Sequence, residues 1–177
     1  MIPQQHAGRT VLAFFWADNS LNSNLRNNIR TMMQGLQAMK DSAALLVYWD
    51  GEASDISWPE PCIVEYVTNG QGGINSMSKE AVNAMIADQD MSVHDLISIG
   101  NIRKKYPPQT STEKTVMQTV IGDMMSVYPS ESYGIIFGSH GSGWLPTITG
   151  TRSIGQDGGR YSSDTALIPE LAEVLRT

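Results

Sequence analysis

Short runs of consecutive apolar residues alternate with longer segments in which apolar residues recur every three or four positions. The runs at 11–16, 43–49 and 133–137 are rich in β-branched and aromatic residues, which is typical of strands buried on both faces of a sheet. Residues 62–67 form another short apolar run, which predicts a strand at a sheet edge. The segment 21–40 places its apolar residues on one face of a helix.

The order of these elements predicts an α/β fold with a largely parallel central sheet. The strand at 11–16, the helix at 21–40 and the strand at 43–49 make a βαβ unit, whose two strands should pair in parallel. Residues 147–163 have almost no apolar content and are predicted to form an exposed, mobile linker. Further helices are predicted at 78–85, 92–106, 111–128 and 166–176.

Composition narrows the classes of protein that fit. The 177 residues are 41% hydrophobic, which suits one domain with a sizeable core. Twelve Lys and Arg against eighteen Asp and Glu give a net charge of −6. A negative surface repels phosphate backbones, so we expect no nucleic-acid partner, while basic ligands are compatible with it. No apolar run is long enough to span a bilayer, and residues 1–9 do not resemble a signal peptide.

The numbers and spacing of cysteine and histidine residues argue against a metal site. Cys62 is the single cysteine, so the chain has neither an internal disulfide nor a cysteine-only zinc cluster. It stands at a strand start, where a buried structural thiol is the default interpretation. His6, His94 and His140 lie too far apart in sequence to form a spaced pair of zinc ligands. We therefore predict no metal ligands.

Two polar loops follow predicted strands and are the candidates for chemistry. Residues 18–20 follow the strand at 11–16, and residues 139–141 follow the strand at 133–137. Ligands bind at the carboxyl ends of strands in open parallel sheets, so we expect both loops at one edge. His140 is suited to act as a general base, and the Gly141 N–H to donate to an oxyanion. The alternative is a histidine held by hydrogen bonds in a glycine-rich turn.

Acidic residues also follow strand ends. Asp18, Asp50 and Glu52 would suit a cation or a basic substrate, but loop capping and turn formation are the commoner explanation for acidic residues there. His94 fits a solvated helix surface. A serine nucleophile is a poor fit: the stretch 140–143 is similar to the oxyanion loop of lipases and esterases, but the chain has no Gly-x-Ser-x-Gly elbow.

The segment 133–144, Tyr-Gly-Ile-Ile-Phe-Gly-Ser-His-Gly-Ser-Gly-Trp, resembles the histidine motif of clostripain-like cysteine peptidases, the C11 family of the caspase-like clan. Residues 11–21, which end Ala-Asp-Asn-Ser-Leu, resemble the first strand and turn of that family. Residues 153–157 and 168–175 resemble the stretch before its cysteine strand. The resemblance implies a caspase-like α/β/α sandwich that is incomplete in this chain. Residues 1–177 would be the N-terminal part of one peptidase domain, with the linker at about 147–163.

The same resemblance implies an activity and roles for named residues. Members of the family cleave peptide bonds after Arg or Lys, with a cysteine nucleophile that ends the strand following the motif at 168–175. We expect that cysteine beyond residue 177 or on a companion chain, so this chain alone should be inactive. His140 would be its partner, Gly141 the backbone oxyanion donor and Asp18 a substrate-binding residue. Members also cut themselves after basic residues in the linker, which marks Arg152 and Arg160, with Arg176 as a third candidate.

Location, cofactors and partners follow from the resemblance alone. The family is mostly bacterial and often secreted, which implies a secreted or cell-envelope protein. Some relatives need calcium, but no residue here marks a calcium site. The implied partners are the segment or chain that carries the cysteine, and peptide or protein substrates with Arg or Lys at the cleaved bond. Two other functions stay open: a non-catalytic caspase-like module that binds a peptide or protein, and an unrelated α/β hydrolase.

Overall fold

The computed structural model describes residues 7–39, 43–51, 60–140, 153–157, 164–167 and 173–175. Seven strands and four helices lie in these ranges. In chain order they are β1 (Ala7–Trp16), α1 (Asn22–Ala38), β2 (Ala43–Asp50), β3 (Cys62–Val67), α2 (Lys79–Ala87), α3 (Val93–Ile99), β4 (Asn101–Lys105), α4 (Lys114–Val127), β5 (Ser130–Gly138), β6 (Ser153–Asp157) and β7 (Asp164–Leu167).

Five strands form one mixed sheet in the order β4-β3-β2-β1-β5. β1 is its centre and runs parallel to both of its neighbours, β2 and β5. The predicted parallel pairing of the βαβ unit is therefore confirmed. β3 runs antiparallel to β2, and β4 runs antiparallel to β3, so the parallel part of the sheet comprises β2, β1 and β5.

Helices cover both faces of this sheet, which confirms the predicted α/β/α sandwich. Ala13 and Phe15 of β1 lie in a buried cluster with α1, α2 and α3. Leu12, Phe14 and Trp16 point to the opposite face and pack in a second cluster with α4. Both faces of β1 are thus buried, as its continuous apolar run predicts.

The periodic apolar face of the segment 21–40 forms α1, close to the predicted bounds. Leu25, Ile29, Met33 and Leu36 are its buried residues, and they recur at spacings of three and four. At 17 residues, α1 is the longest described helix. None of the helices in the described ranges is both long and apolar enough to cross a membrane.

The predicted helix at 92–106 is wrong beyond residue 99. α3 ends at Ile99, and Asn101–Lys105 forms β4 on the edge of the sheet. All five of its residues are exposed, and Arg103, Lys104 and Lys105 each pair with an acidic side chain. Backbone pairing with β3 outweighs the helical preference of a segment rich in Lys and Arg. Charged side chains also protect an edge strand from pairing with other chains.

β4 takes the edge position that was predicted for residues 62–67, so that prediction is wrong and β3 lies inside the sheet. The strand at 133–137 was predicted to be buried on both faces, but β5 is an edge strand among the described residues. Tyr133, Ile135 and Phe137 pack against the α4 side of the core. Ile136 points the other way and is 42% exposed.

The C-terminal predictions are only partly covered by the described residues. Residues 153–157 of the predicted linker form β6, which pairs antiparallel with β7. The predicted helix at 166–176 is wrong at its start, because Ala166 and Leu167 end β7. Residues 173 and 174 are helical, and residues 168–172 lie outside the described ranges. Short polar strands of this kind carry no apolar run from which they could be predicted.

Candidate functional site

The two polar loops lie at the same edge of the sheet, as predicted. β1 ends at Trp16 and β5 at Gly138, and the two strands are parallel neighbours with Phe15 opposite Gly138. The residues that follow each strand therefore leave the sheet side by side. Residues 18–20 come from the β1 side and residues 139–140 from the β5 side.

The loop after β1 is held by its own hydrogen bonds. Asn19 bonds at both ends of its amide: Nδ2 donates to the Trp16 carbonyl at 2.6 Å, and Oδ1 accepts from the Leu21 N–H at 2.9 Å. The Asn19 carbonyl accepts from the Asn22 N–H, where α1 begins. Asn22 Nδ2 in turn donates to the Ala17 carbonyl at 3.2 Å. Asparagine favours such turns because its side chain can replace backbone partners.

Two side-chain hydrogen bonds join this loop to the end of β5. Asn19 Nδ2 lies 3.3 Å from Ser139 Oγ, and Ser20 Oγ lies 2.9 Å from His140 Nε2. Consecutive residues of one loop thus bind consecutive residues of the other. His140 and Ser139 are half-buried, whereas Ser20 is exposed. The imidazole is therefore reachable from solvent and restrained at one of its two nitrogens.

The predicted acidic candidates separate into two environments. Asp18 is half-buried in the loop after β1, two residues before Ser20. Asp50, at the end of β2, is buried and accepts a hydrogen bond from the Ser111 hydroxyl. Ser111 Oγ is also 2.6 Å from the Tyr48 hydroxyl. Asp50 therefore belongs to a buried network that ties β2 to the segment before α4, and it does not face the solvent as a ligand would.

Cys62 and His94 keep the structural roles that were the default interpretations. Cys62 is buried at the start of β3. Three strand spacings separate β3 from β5, about 14 Å, so the Cys62 thiol does not reach His140. His94 lies on α3 with a 61% exposed side chain, and its Nδ1 is 3.8 Å from Asp95 Oδ1.

Several predicted site residues lie outside the described ranges: Gly141, Arg152, Arg160, Arg176, Glu52 and His6. Among the residues that the structure does describe, no group of three or more His, Cys, Asp or Glu side chains could hold a metal ion.

The sequence predicted that the loops at 18–20 and 139–141 share an edge, but it did not predict the contact between Ser20 and His140. Ser20 is 120 residues away from His140, and serine is common in loops. The available signal was the expectation that residues 18–20 and 139–141 share an edge. That expectation does not predict which side chains pair, because the pairing depends on which strands are neighbours in the sheet.

Comparison with known proteins agrees with this architecture. Residues 13–177 match the clostripain family, peptidase family C11. No curated protein sequence matches the chain significantly. A secreted C11 cysteine protease from Bacteroides thetaiotaomicron, solved with an irreversible peptide inhibitor, is 26% identical, with a TM-score of 0.65 over 96% of this chain. The match covers 39% of that protein, so the present chain spans well under half of its length.

Two further solved structures are similar. A B. fragilis cysteine protease is 27% identical with a TM-score of 0.55, and the match covers 80% of this chain and 95% of that one. An inactive zymogen C11 protease from Parabacteroides distasonis, 24% identical with a TM-score of 0.56, shares the fold; the match covers 84% of this chain and 35% of that one. With the family match extending over nearly the whole sequence, the chain belongs to the clostripain family of C11 cysteine proteases.

Proposed function

We propose that this chain supplies the catalytic histidine of a cysteine endopeptidase that cleaves peptide bonds after Arg or Lys. The observation that carries the proposal is the position of His140. It lies two residues after the end of β5, at the sheet edge where the loop after β1 also begins, and it is half-buried with one ring nitrogen bound by Ser20. Active sites of open parallel sheets lie at this edge.

In this proposal the imidazole first accepts a proton from the nucleophile and later donates it to the leaving amine. His140 takes the proton of a cysteine thiol, and the thiolate attacks the carbonyl carbon of the scissile bond. The bond between that carbon and the leaving nitrogen breaks as the imidazolium returns the proton to the amine. Water then hydrolyses the thioester and regenerates the thiol. The Gly141 N–H would stabilise the oxyanion, since a glycine lets its backbone approach the substrate closely.

The nucleophile in this proposal is a cysteine other than Cys62, carried beyond residue 177 or on a companion chain. The burial of Cys62 and its distance from His140 support that assignment. β5 is an edge strand among the described residues, which supports a further segment at this side of the sheet, because the backbone of an edge strand favours pairing with another strand. Residues 1–177 alone should then show no peptidase activity, since thiolate and imidazole act as a unit.

Asp18 is proposed to bind the basic side chain of the substrate. It lies two residues before Ser20 at the same edge and is half-buried, where a carboxylate attracts a cation more strongly than in bulk water. The net charge of −6 favours basic peptides as well. An Asp18→Asn variant should raise KM for Arg-containing peptides about tenfold while kcat changes little. An unchanged KM would remove Asp18 from the proposal.

Processing and location complete the proposal. Cleavage after Arg152 or Arg160, or after Arg176, would separate the histidine-bearing part from the part that carries the cysteine. Intact-mass spectrometry of the purified protein tests this: a cut at one of these residues should disappear when that residue is changed to alanine. Because a similar protease is secreted by Bacteroides thetaiotaomicron, we propose a secreted or cell-envelope location in a bacterium.

The decisive experiment measures hydrolysis of an Arg-containing fluorogenic peptide by the complete protein. His140→Ala should lower kcat/KM at least about a hundredfold with the fold retained. His94→Ala is the matched control, because His94 is an exposed histidine on α3, and it should leave the rate unchanged. Thiol alkylation should abolish the activity of the parent protein. Full activity of His140→Ala would refute the role of His140, and an inactive parent that still binds peptide would favour the non-catalytic binding module.

A further inference from the structure

The hydrogen bond between Ser20 and His140 engages one specific ring nitrogen. Ser20 Oγ is 2.9 Å from Nε2, so Nε2 is held by the loop after β1. An imidazole has two nitrogens, and the hydrogen bond made by one decides which proton the other carries. If the Ser20 hydroxyl accepts from Nε2, Nδ1 is the nitrogen that can exchange a proton with a reacting group.

We propose that Ser20 is a positioning residue for His140: its hydroxyl accepts the Nε2 hydrogen and thereby keeps Nδ1 available for proton transfer. The inference rests on the proposed function. For Nδ1 to take a thiol proton, the neutral ring must carry its hydrogen on Nε2, and that hydrogen needs an acceptor. After proton transfer both nitrogens carry hydrogens, and Ser20 Oγ still accepts from Nε2. The same contact thus serves both protonation states.

The loop is built to hold Ser20 in this place without help from His140. Asn19, the preceding residue, is fixed to the Trp16 carbonyl and the Leu21 N–H. Its amide also contacts Ser139, the residue before His140. Since both ends of the contact are anchored one residue away, little conformational freedom is lost when Ser20 and His140 meet.

Three variants of the complete protein test the proposal. Ser20→Ala removes the acceptor, Ser20→Thr keeps a hydroxyl, and Ser23→Ala is the matched control. Ser23 is exposed on the first turn of α1, and its hydroxyl bonds to Asn24. In Ser20→Ala, kcat should fall about tenfold with KM within about twofold of the parent, because a hydrogen bond to a charged group is lost in the reacting state. Ser20→Thr should retain most of kcat, and Ser23→Ala all of it.

The pH–rate profile separates positioning from a structural effect. Without an acceptor at Nε2 the charged ring is less favoured, so the activity of Ser20→Ala should decline at a lower pH on the alkaline side. A merely structural loss would lower the rate at every pH without moving that limb. A kcat within twofold of the parent and an unmoved profile would overturn the role of Ser20.

Nuclear magnetic resonance of the ¹⁵N-labelled histidine ring gives a second readout that needs no activity. The parent protein should show hydrogen on Nε2, and Ser20→Ala should show a mixture of tautomers. A mixture already present in the parent would overturn the proposal. Failure of this proposal is distinguishable from failure of the proposed function. An inactive His140→Ala together with a fully active Ser20→Ala would refute only the positioning role of Ser20. An active His140→Ala would refute the proposed function itself.

Discussion

Phe15 and Gly138 face each other across β1 and β5, and the Phe15 ring fills the space that a side chain on Gly138 would occupy. A Cβ atom at Gly138 would lie 2.6 Å from Phe15 Cδ1 and 2.7 Å from Leu25 Cδ2. Both neighbours are buried in the core on the α1 side of the sheet. Gly138 therefore lets β5 reach its last residue in close contact with α1, two residues before His140.

Gly138→Ala should destabilise the protein by about 1–3 kcal/mol, because the added methyl group must displace the Phe15 ring or the end of β5. Peptidase activity should fall as well, since any shift of β5 moves the adjoining His140. Urea unfolding and peptide hydrolysis measure the two effects. Gly134→Ala is the matched control on the same strand: a Cβ atom there meets nothing within 4 Å, so unfolding should change by less than about 1 kcal/mol. Equal stability of the two variants would contradict the close approach.

The parts of the fold that could be predicted from sequence are those whose signal is local. The continuous apolar run at 11–16 and the three-and-four spacing of α1 reflect burial along one element, so both were identified correctly. β4 was missed because Asn101–Lys105 is exposed and charged, and it is a strand only through pairing with β3. The edge position of β4 and the interior position of β3 were missed for the same reason, since strand order is a property of the whole sheet.

The candidate site shows the same division. A histidine and glycine directly after an apolar strand mark His140 in the sequence alone. Ser20 becomes informative only once β1 and β5 are neighbours, because the residues of this contact are 120 positions apart. Asp50 was expected at a strand end, which is correct, but its burial beside Ser111 depends on how the segment before α4 packs.

The buried Asp50 carboxylate accepts a hydrogen bond from the Ser111 hydroxyl. In Ser111→Ala the carboxylate loses that donor, and the Tyr48 hydroxyl loses a partner at 2.6 Å. We expect a loss of about 1–3 kcal/mol in the free energy of unfolding, measured by urea titration. Ser126→Ala removes an exposed hydroxyl of α4 that donates to the Gly122 carbonyl and should cost less than about 0.5 kcal/mol. Similar losses in both variants would show that the hydrogen bonds of Ser111 stabilise the fold no more than an exposed helix hydroxyl does.

The buried phenol of Tyr66 should make the free energy of unfolding fall at alkaline pH. Burial, with a smaller contribution from the nearby Cys62, raises the pKa of its phenol far above the ordinary value of about 10. The unfolded chain ionises near pH 10 while the folded chain keeps the proton, so its stabilising effect is complete below pH 10 and is lost above it. Tyr66→Phe should lose about 1 kcal/mol at pH 7 through its missing bond to the Leu96 carbonyl. Its unfolding free energy should then fall less steeply than that of the parent between pH 10 and 11; parallel curves would be the contrary result.

Ile136 and Ile102 test whether a further segment covers β5. Both are isoleucines on strands at opposite edges of the described sheet, with exposures of 42% and 40%. If the segment that carries the nucleophile lies against β5 in the complete protein, Ile136 is buried there and Ile102 is not. Ile136→Lys should then lower the free energy of unfolding by several kcal/mol and reduce peptidase activity, because a charge is placed in an apolar contact. Ile102→Lys should change stability by less than about 0.5 kcal/mol, as expected for an exposed site.

Hydrogen exchange of the β5 amides in the complete parent protein is the direct measurement of whether a further segment covers β5. Slow exchange on both sides of the strand is expected. Rapid exchange, together with an Ile136→Lys variant of unchanged stability and activity, would show that this edge stays open.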